Sequence, residues 1–342
     1  MRYLLATLLF ALGFATAAAP AAKPPYHVMM LLYRGCEEAC RGFQDHFRRQ
    51  QTPVRFTLLD AEQDARRLPG LVAEVKRQRP DLVVAWGTTV ALETAGRWDA
   101  VDPTRHVTDI PVVFMAVSDP LRSGLVPSLA GSRRNLAGTL YLLPLSEQLR
   151  AARLYLPFHK VGFLINSAEL NSRLSLEELR AQAPHFGFTV VTQSLPVDGN
   201  GQPSVDGIAG SVAALAAAGV DLLYFSPDSF LNSQRRLVTG SALAHRLPVL
   251  AAAERPVADA DALLGVFIPY DLIGRLSARL ALRILEDGTA PGELAIGRPR
   301  HFSYLINLRV AHRLQRYPPL PLLDIAEIVG TDCINGKGKP CD

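Results

Sequence analysis

Every position from Ile110 to Val117, IPVVFMAV, is apolar, and the run then breaks at Ser118-Asp119-Pro120. Runs of this length, rich in β-branched residues, suit strands covered on both faces, and such strands belong to parallel sheets flanked by helices. HVMMLLY, VRFTLLD and LVVAWG repeat the pattern upstream. Between them, CEEACRGFQDHFRRQ, ARRLPGLVAEVKRQRP and TTVALETAGRW space their apolar residues as helices do. Asp119 suits a helix N-cap and Pro120 the first helical position, so the pattern predicts a helix after the fourth strand. AGTLYL is a fifth short strand that ends this set.

The alternation then starts again. LSEQLRAARLYLP, LSLEELRAQAPHFG, IAGSVAALAAAG and RRLVTGSALAHR read as helices, and KVGFLIN, TVVTQSL, DLLYFSP and PVLAAAE as strands. Two successive βα sets predict an α/β protein of two doubly wound parallel-sheet lobes. No Gly- or Ser-rich tether separates the sets, so the lobes are expected to be joined closely by crossing segments that form a hinge over a cleft. The expected division is 24–140 plus 265–330 for lobe 1 and 141–264 for lobe 2, with the last long helix and its flanking strands returning to lobe 1. Residues 331–342 form a short tail.

In open parallel sheets ligands are held at the carboxyl ends of the strands. Polar residues collect at those corners: Thr88 and Thr89 after LVVAWG, Ser118 and Asp119 after PVVFMAV, Asn166 after KVGFLI, Ser226 and Asp228 after DLLYF, and Glu254 after PVLAAA. Tyr33 ends the first strand and Tyr270 follows LLGVFIP. Each polar residue has a local use as well, since Thr88, Thr89 and Asp119 suit helix caps and SPDS is good turn chemistry. The rings of Tyr33, Tyr270 and Trp86 are candidate apolar walls, although Trp86, inside a strand, reads first as core. Asp119, Asp228 and Glu254 make the expected cleft acidic, which favours a cationic or zwitterionic solute. Hydroxyls and backbone N–H groups at helix starts remain available for the carboxylate of an amino-acid-like solute.

At the amino end, Arg2 precedes an apolar stretch from Leu4 to Phe14 and then ATAAAPAAK. This is the pattern of a secretory signal peptide, expected over residues 1–22. The stretch is roughly eleven residues long, about half of what a bilayer span needs. Export agrees with four cysteines in two local pairs, Cys36 with Cys40 and Cys333 with Cys341; four cysteines allow three connectivities, of which the local one is favoured. No histidine or second cysteine pair stands at metal-ligand spacing near Cys36, so no metal site is expected. A net charge of +4 with scattered Lys and Arg gives no nucleic-acid footprint. GxxxxGK[ST], GxSxG, HExxH and a GxGxxG after the first strand are all missing, so neither catalysis nor a cofactor is expected.

Four blocks carry a resemblance: PDLVVAWGTTVAL, IPVVFMAVSDPLRSGLVPSL, LGVFIPYDLIGRLSARLALRILEDGTAPGELAIG, and INLRVAHRL with PLLDIAEIVG. They resemble the periplasmic substrate-binding proteins of ABC transporters with the type I periplasmic-binding fold, in the branch that includes binders of tryptophan-like amino acids. The strand, Asp-Pro and Gly-Leu-Val order of the second block is its most specific part. The sequence departs at Arg133-Arg134-Asn135-Leu136-Ala137-Gly138, where the family carries a Gly-Gly-Asn-x-Thr-Gly turn, at the cysteine pair of RGCEEACRGF, and in the tail TDCINGKGKPCD. The resemblance implies an exported protein that closes on a solute and presents it to an inner-membrane ABC permease. Thr88, Thr89, Ser118 and Asp119 would hold the solute first, and Asn166, Asp228 and Glu254 would complete its hydrogen bonds on closure. A periplasmic sensor module and, further off, a periplasmic enzyme are the alternatives.

Overall fold

The computed structural model describes residues 24–199, 201–299 and 301–331. The expected signal peptide and the Cys333 and Cys341 pair lie outside the described residues. In chain order β1 (Tyr26–Leu32), α1 (Glu38–Arg49), β2 (Val54–Asp60), α2 (Leu68–Gln78), β3 (Leu82–Trp86), α3 (Thr88–Ala95), β4 (Val112–Val117) and β5 (Leu136–Leu140) come first. Their sheet is ordered β2-β1-β3-β4-β5 and is parallel throughout. Every residue of β3 and β4 is buried, as two-sided cover requires.

The second set comprises α4 (Leu145–Tyr155), β6 (Lys160–Ile165), α5 (Leu170–Phe186), β7 (Thr189–Ser194), α6 (Gly207–Ala217), β8 (Leu222–Phe225), α7 (Ser229–Ser233), α8 (Arg235–Ala244), β9 (Val249–Ala251), α9 (Arg255–Ala258) and β10 (Leu264–Phe267). After α10 (Tyr270–Leu285) follow β11 (Ser303–Asn307), α11 (Leu308–Leu314), α12 (Leu320–Leu323) and β12 (Glu327–Val329). The second sheet is ordered β12-β11-β10-β9-β8-β6-β7.

Three expectations are corrected here. The segment 265–330 does not return to lobe 1 as a unit: α10 packs on α1, β4 and β5, whereas β11 and β12 extend the second sheet beyond β10. The chain therefore crosses between lobes three times, between β5 and α4, between β10 and α10, and between Gly297 and β11. The second sheet is also not wholly parallel, because β10 and β11 pair antiparallel. β10 runs toward the hinge and leaves for α10, while β11 comes back from the hinge, so the two must run in opposite directions. Finally, no helix follows Asp119-Pro120. Ser123 N–H donates to the Asp119 carbonyl, and the N–H groups of Leu125 and Val126 to that of Pro120. Gly124 at φ 74° and then Pro127, which has no N–H, stop the turns from propagating.

α10 is held to α1 by a close backbone approach. Ala39, Phe43 and Phe47 recur at helical spacing on α1 and meet Ile273, Ala278 and Ala281 of α10 in one core cluster. A Cβ added to Gly274 would lie 2.0 Å from the Ala39 carbonyl oxygen, and one on Gly42 2.5 Å from that of Asp271. Only glycine fits at either position. α10 thus completes the core of the first lobe before β11 and β12 are added to the second sheet.

Candidate functional site between the lobes

The carboxyl ends of β1, β3 and β4 face those of β8 and β9 across the hinge. Arg34, Trp86, Gly87, Ala116, Tyr141 and Tyr270 from the first lobe enclose a small cavity with Asn171, Phe225 to Ser229, Asn232 and Ala253 from the second. Its volume is about 20 Å³, room for about one water. The lobes are therefore shut, and admitting a solute requires them to part.

The walls hold an unusual set of unsatisfied groups. Trp86 Nε1, Asn171 Oδ1, Ser226 Oγ, Asp228 Oδ2 and Asn232 Oδ1 are buried with no hydrogen-bond partner. Buried polar atoms are rarely left alone, because an orphan costs about 1–3 kcal/mol. Five in one cavity mark a place built for a polar guest.

Asp228, 1% exposed, follows β8 and uses Oδ1 to accept from Leu231 N–H at 2.8 Å, capping α7. Its other oxygen is left to the cavity. Glu169, ahead of α5, accepts from Ser229 N–H at 3.0 and 2.8 Å and from Asn171 Nδ2 at 3.2 Å. Burial raises the titration of both carboxyls, and the charge of Glu169 raises Asp228 further; the Asn166 amide works the other way, favouring the charged Asp228. The two acids sit close enough to share a proton, and a cation beside them would replace it. Across the cavity, the Arg34 guanidinium lies 4.6 Å from the Trp86 ring centroid and is paired with Glu37. Tyr141 and Tyr270 pack edge to face with centroids 5.8 Å apart, and burial pushes the Tyr270 hydroxyl up to about 12.

A second cavity of about 320 Å³ adjoins the first and shares Asn171 with it. Leu121, Leu129, Leu140, Leu142, Leu143 and Leu174 line most of it, drawn from the loop after β4, the end of β5, the hinge and α5, with Asp119, Arg122 and Glu178 also in its wall. Its buried polar groups are mostly spent on one another: Gln148 Nε2 donates to the Leu143 carbonyl, and Tyr224 donates to Gln148 Oε1. It therefore suits an apolar guest.

Of the residues singled out in the sequence, Ser226, Asp228 and Tyr270 line the small cavity. Ser118 and Asp119 line the apolar one. Ser118 Oγ meets Tyr141 Oη at 3.1 Å, and Asp119 Oδ1 is occupied by the N–H groups of Leu121 and Arg122. The other five stand elsewhere. Thr88 Oγ1 accepts from Ser118 N–H and ties two corners together, and Thr89 is exposed on α3. Asn166 Oδ1 accepts from Ala168 N–H behind Asp228, and the Tyr33 hydroxyl turns away to the Gln63 carbonyl. Glu254 opens into a separate recess with Glu38, Asp271 and Glu327, whose charges, after burial, raise its titration. The acidic cleft expected from Asp119, Asp228 and Glu254 is thus reduced to Asp228, joined by the unforeseen Glu169 and opposed by Arg34. Arg34, Tyr141, Glu169, Asn171 and Asn232 were not anticipated, and Trp86, read first as core, lines the cavity as well; Arg34 stands two residues past the end of β1, so its position carried a signal.

Residues 31–323 match the family model of ABC transporter substrate-binding proteins. The chain belongs to that family. A tyrosine-binding protein of Clostridioides difficile (strain R20291) is 24% identical over 276 residues, 79% of this chain and 74% of its own. Among solved structures, an ABC domain from Streptococcus pneumonia in complex with L-Trp superposes with a TM-score of 0.77 at 23% identity, over 89% of this chain and 99% of that one. A ligand-free, open substrate-binding protein with adhesive properties from Clostridium difficile reaches 0.66 at 20% identity, over 89% and 99%. The fold is the type I periplasmic-binding fold. As a member of the substrate-binding family the protein binds small solutes and is not an enzyme.

Proposed function

We propose that this substrate-binding protein captures an α-amino acid with a large apolar or aromatic side chain and delivers it to an inner-membrane ABC permease. The observation that carries the reading is Asp228 Oδ2, a buried carboxylate oxygen that accepts from no N–H group and stands beside the Glu169 carboxyl, among three further unpartnered oxygens in one cavity. An ammonium offers three N–H donors and a positive charge, which such a set satisfies. The carboxylate of the same solute faces Trp86 Nε1 and the first turn of α3 beside Gly87, where backbone N–H groups lack intrahelical acceptors. The side chain passes Asn171 into the leucine-lined cavity. The tyrosine-binding relative and the L-Trp complex support an aromatic solute.

A solute bridging both lobes favours the shut state by the difference in its affinity for the two arrangements, and the permease would read that shut shape. Export to the periplasm is supported by the amino-terminal pattern and by the Cys36–Cys40 disulfide, a bond that persists in oxidising compartments. No helix among the described residues is long and apolar enough to cross a membrane.

Calorimetric titration of the mature protein tests the reading with L-tyrosine, L-tryptophan and L-phenylalanine against glycine, L-glutamate and indole-3-propionate. The aromatic amino acids are expected to bind, and indole-3-propionate, which lacks the ammonium, to bind at least tenfold more weakly, the effect of one charged hydrogen bond of about 1.5–3 kcal/mol. Equal binding of indole-3-propionate would remove the role given to Asp228.

A further inference from the structure

Glu37 lies inside the loop closed by the Cys36–Cys40 disulfide, at the N-cap of α1, but its side chain does not cap the helix. The residue is 7% exposed. Glu37 Oε1 instead accepts from Arg34 Nε at 3.0 Å and from Arg255 Nη1 at 2.6 Å, while Oε2 pairs with Arg34 Nη2 at 3.0 Å. Arg34 belongs to the first lobe and Arg255 to α9 of the second, so one buried carboxylate joins the two lobes. The chain of charges continues. Arg255 Nε pairs with Asp259 Oδ2 at 3.0 Å, Asp259 with Arg235 at 3.4 Å, and Arg235 Nη1 donates to the Asn232 carbonyl at 3.0 Å. An alternating series thus runs from Arg34, stacked on Trp86 in one wall of the small cavity, to Asn232 in the other. Arg122 also bridges the lobes, pairing with Glu177 and Glu178, but these side chains are 36–64% exposed, and pairs of that kind contribute about 0–1 kcal/mol.

We infer that Glu37 is a positioning residue that latches the lobes shut, and that the flanking disulfide holds it in place so that the latch depends on the redox state of Cys36 and Cys40. Arg41 Nη1 donates to the Cys36 carbonyl, and Gln44 Nε2 approaches both sulfurs, so the loop is fastened at its ends as well. Cys36 is half-buried and Cys40 buried, which makes Cys36 Sγ the point of attack. A dithiol reductant breaks the bond in two exchanges. Its thiolate attacks Cys36 Sγ and releases Cys40 as a thiolate that takes a proton; its second thiol then displaces Cys36 as a thiol and closes the reagent into a cyclic disulfide. Two electrons and two protons reach the protein. Freed of the cross-link, the loop has no reason to present the Glu37 carboxylate to Arg255.

The test uses the mature protein without any solute, so it is separate from the amino-acid reading, which can fail while the latch stands. Small-angle scattering and hydrogen exchange are compared for wild type, Arg255→Gln, Glu37→Gln, the double variant and Cys36→Ser/Cys40→Ser. Arg255→Gln removes the pair from the second lobe without disturbing the buried loop, so it reports even if Glu37→Gln folds poorly. Each single change is expected to enlarge the radius of gyration and to speed exchange in the wall segment 225–232 roughly tenfold, the scale of one charged hydrogen bond. The double variant should go no further than the larger single one, as for two partners of one interaction. Cysteine replacement, or reduction by dithiothreitol, should open the wild type but leave Arg255→Gln unchanged. Shut single variants, effects that multiply in the double variant, or a cysteine-free protein as shut as wild type would each overturn the proposal.

Discussion

Replacing Asp228 by asparagine separates the use of this residue in binding from its use in folding. Asparagine caps helices as well as aspartate, so the bond from Leu231 N–H to the side chain survives. What is lost is a negative charge facing the solute ammonium. A full charge pair at about 4 Å contributes roughly 4 kcal/mol at an effective dielectric of 20, and a charged hydrogen bond about 1.5–3 kcal/mol. A loss of about 2–4 kcal/mol corresponds to roughly 30-fold to nearly 1,000-fold in affinity for L-tryptophan. The effect on the free protein has the opposite sign. Asp228 is buried against Glu169 and both titrate above the ordinary carboxyl range, so a neutral amide relieves a conflict. Calorimetric titration should therefore show much weaker binding, and differential scanning calorimetry at pH 7 a higher Tm, in the same variant. An affinity within threefold of wild type, or a Tm that falls together with affinity, would refute the assignment.

Other consequences are open to direct measurement. An ammonium that replaces the proton shared by Glu169 and Asp228 releases it, so titrations in buffers of different ionisation enthalpy should show proton release, and affinity should rise as pH rises through the titration of the pair. Because both folded-state titrations lie above their unfolded values, the pair's contribution to stability is complete at low pH and lost as pH rises; the Tm of wild type minus that of Asp228→Asn should become more negative from about pH 4 upward. Ser175→Phe, which projects into the leucine-lined cavity, should weaken L-tryptophan binding about tenfold, as overpacking by about 1–3 kcal/mol implies, and spare L-alanine. Gly274→Ala should cost about 1–3 kcal/mol or more in urea unfolding, because its Cβ meets the Ala39 carbonyl oxygen at 2.0 Å.

The strands were legible because two-sided burial writes itself as unbroken apolar runs, and VVFMAV and LVVAW are fully buried as that pattern requires. Which lobe a strand joins is not written locally. LLGVF has the same pattern whichever sheet it enters, and only pairing with β9 and β11 decides it. The site divides in a similar way. Ser226 and Asp228 stand directly at the end of β8 and reach the cavity, whereas Thr88 and Asp119, at equivalent corners, spend their oxygens on neighbouring N–H groups. A polar residue at a strand end has a local and a distant use, and loop geometry chooses between them. Asn171 and Asn232 come from helices, one turn or more beyond the corners, where spacing from a strand end gives no indication.

The three passes between the lobes also govern how the polypeptide can be divided. A chain cut after residue 262 would leave Phe43 and Phe47 without Ile273, Ala278 and Ala281 beside them, and would strip the other sheet of β10, β11 and β12. Neither half is an independent folding unit, however separate the two look in outline. During synthesis both cores stay unfinished until the last sixth of the polypeptide has emerged.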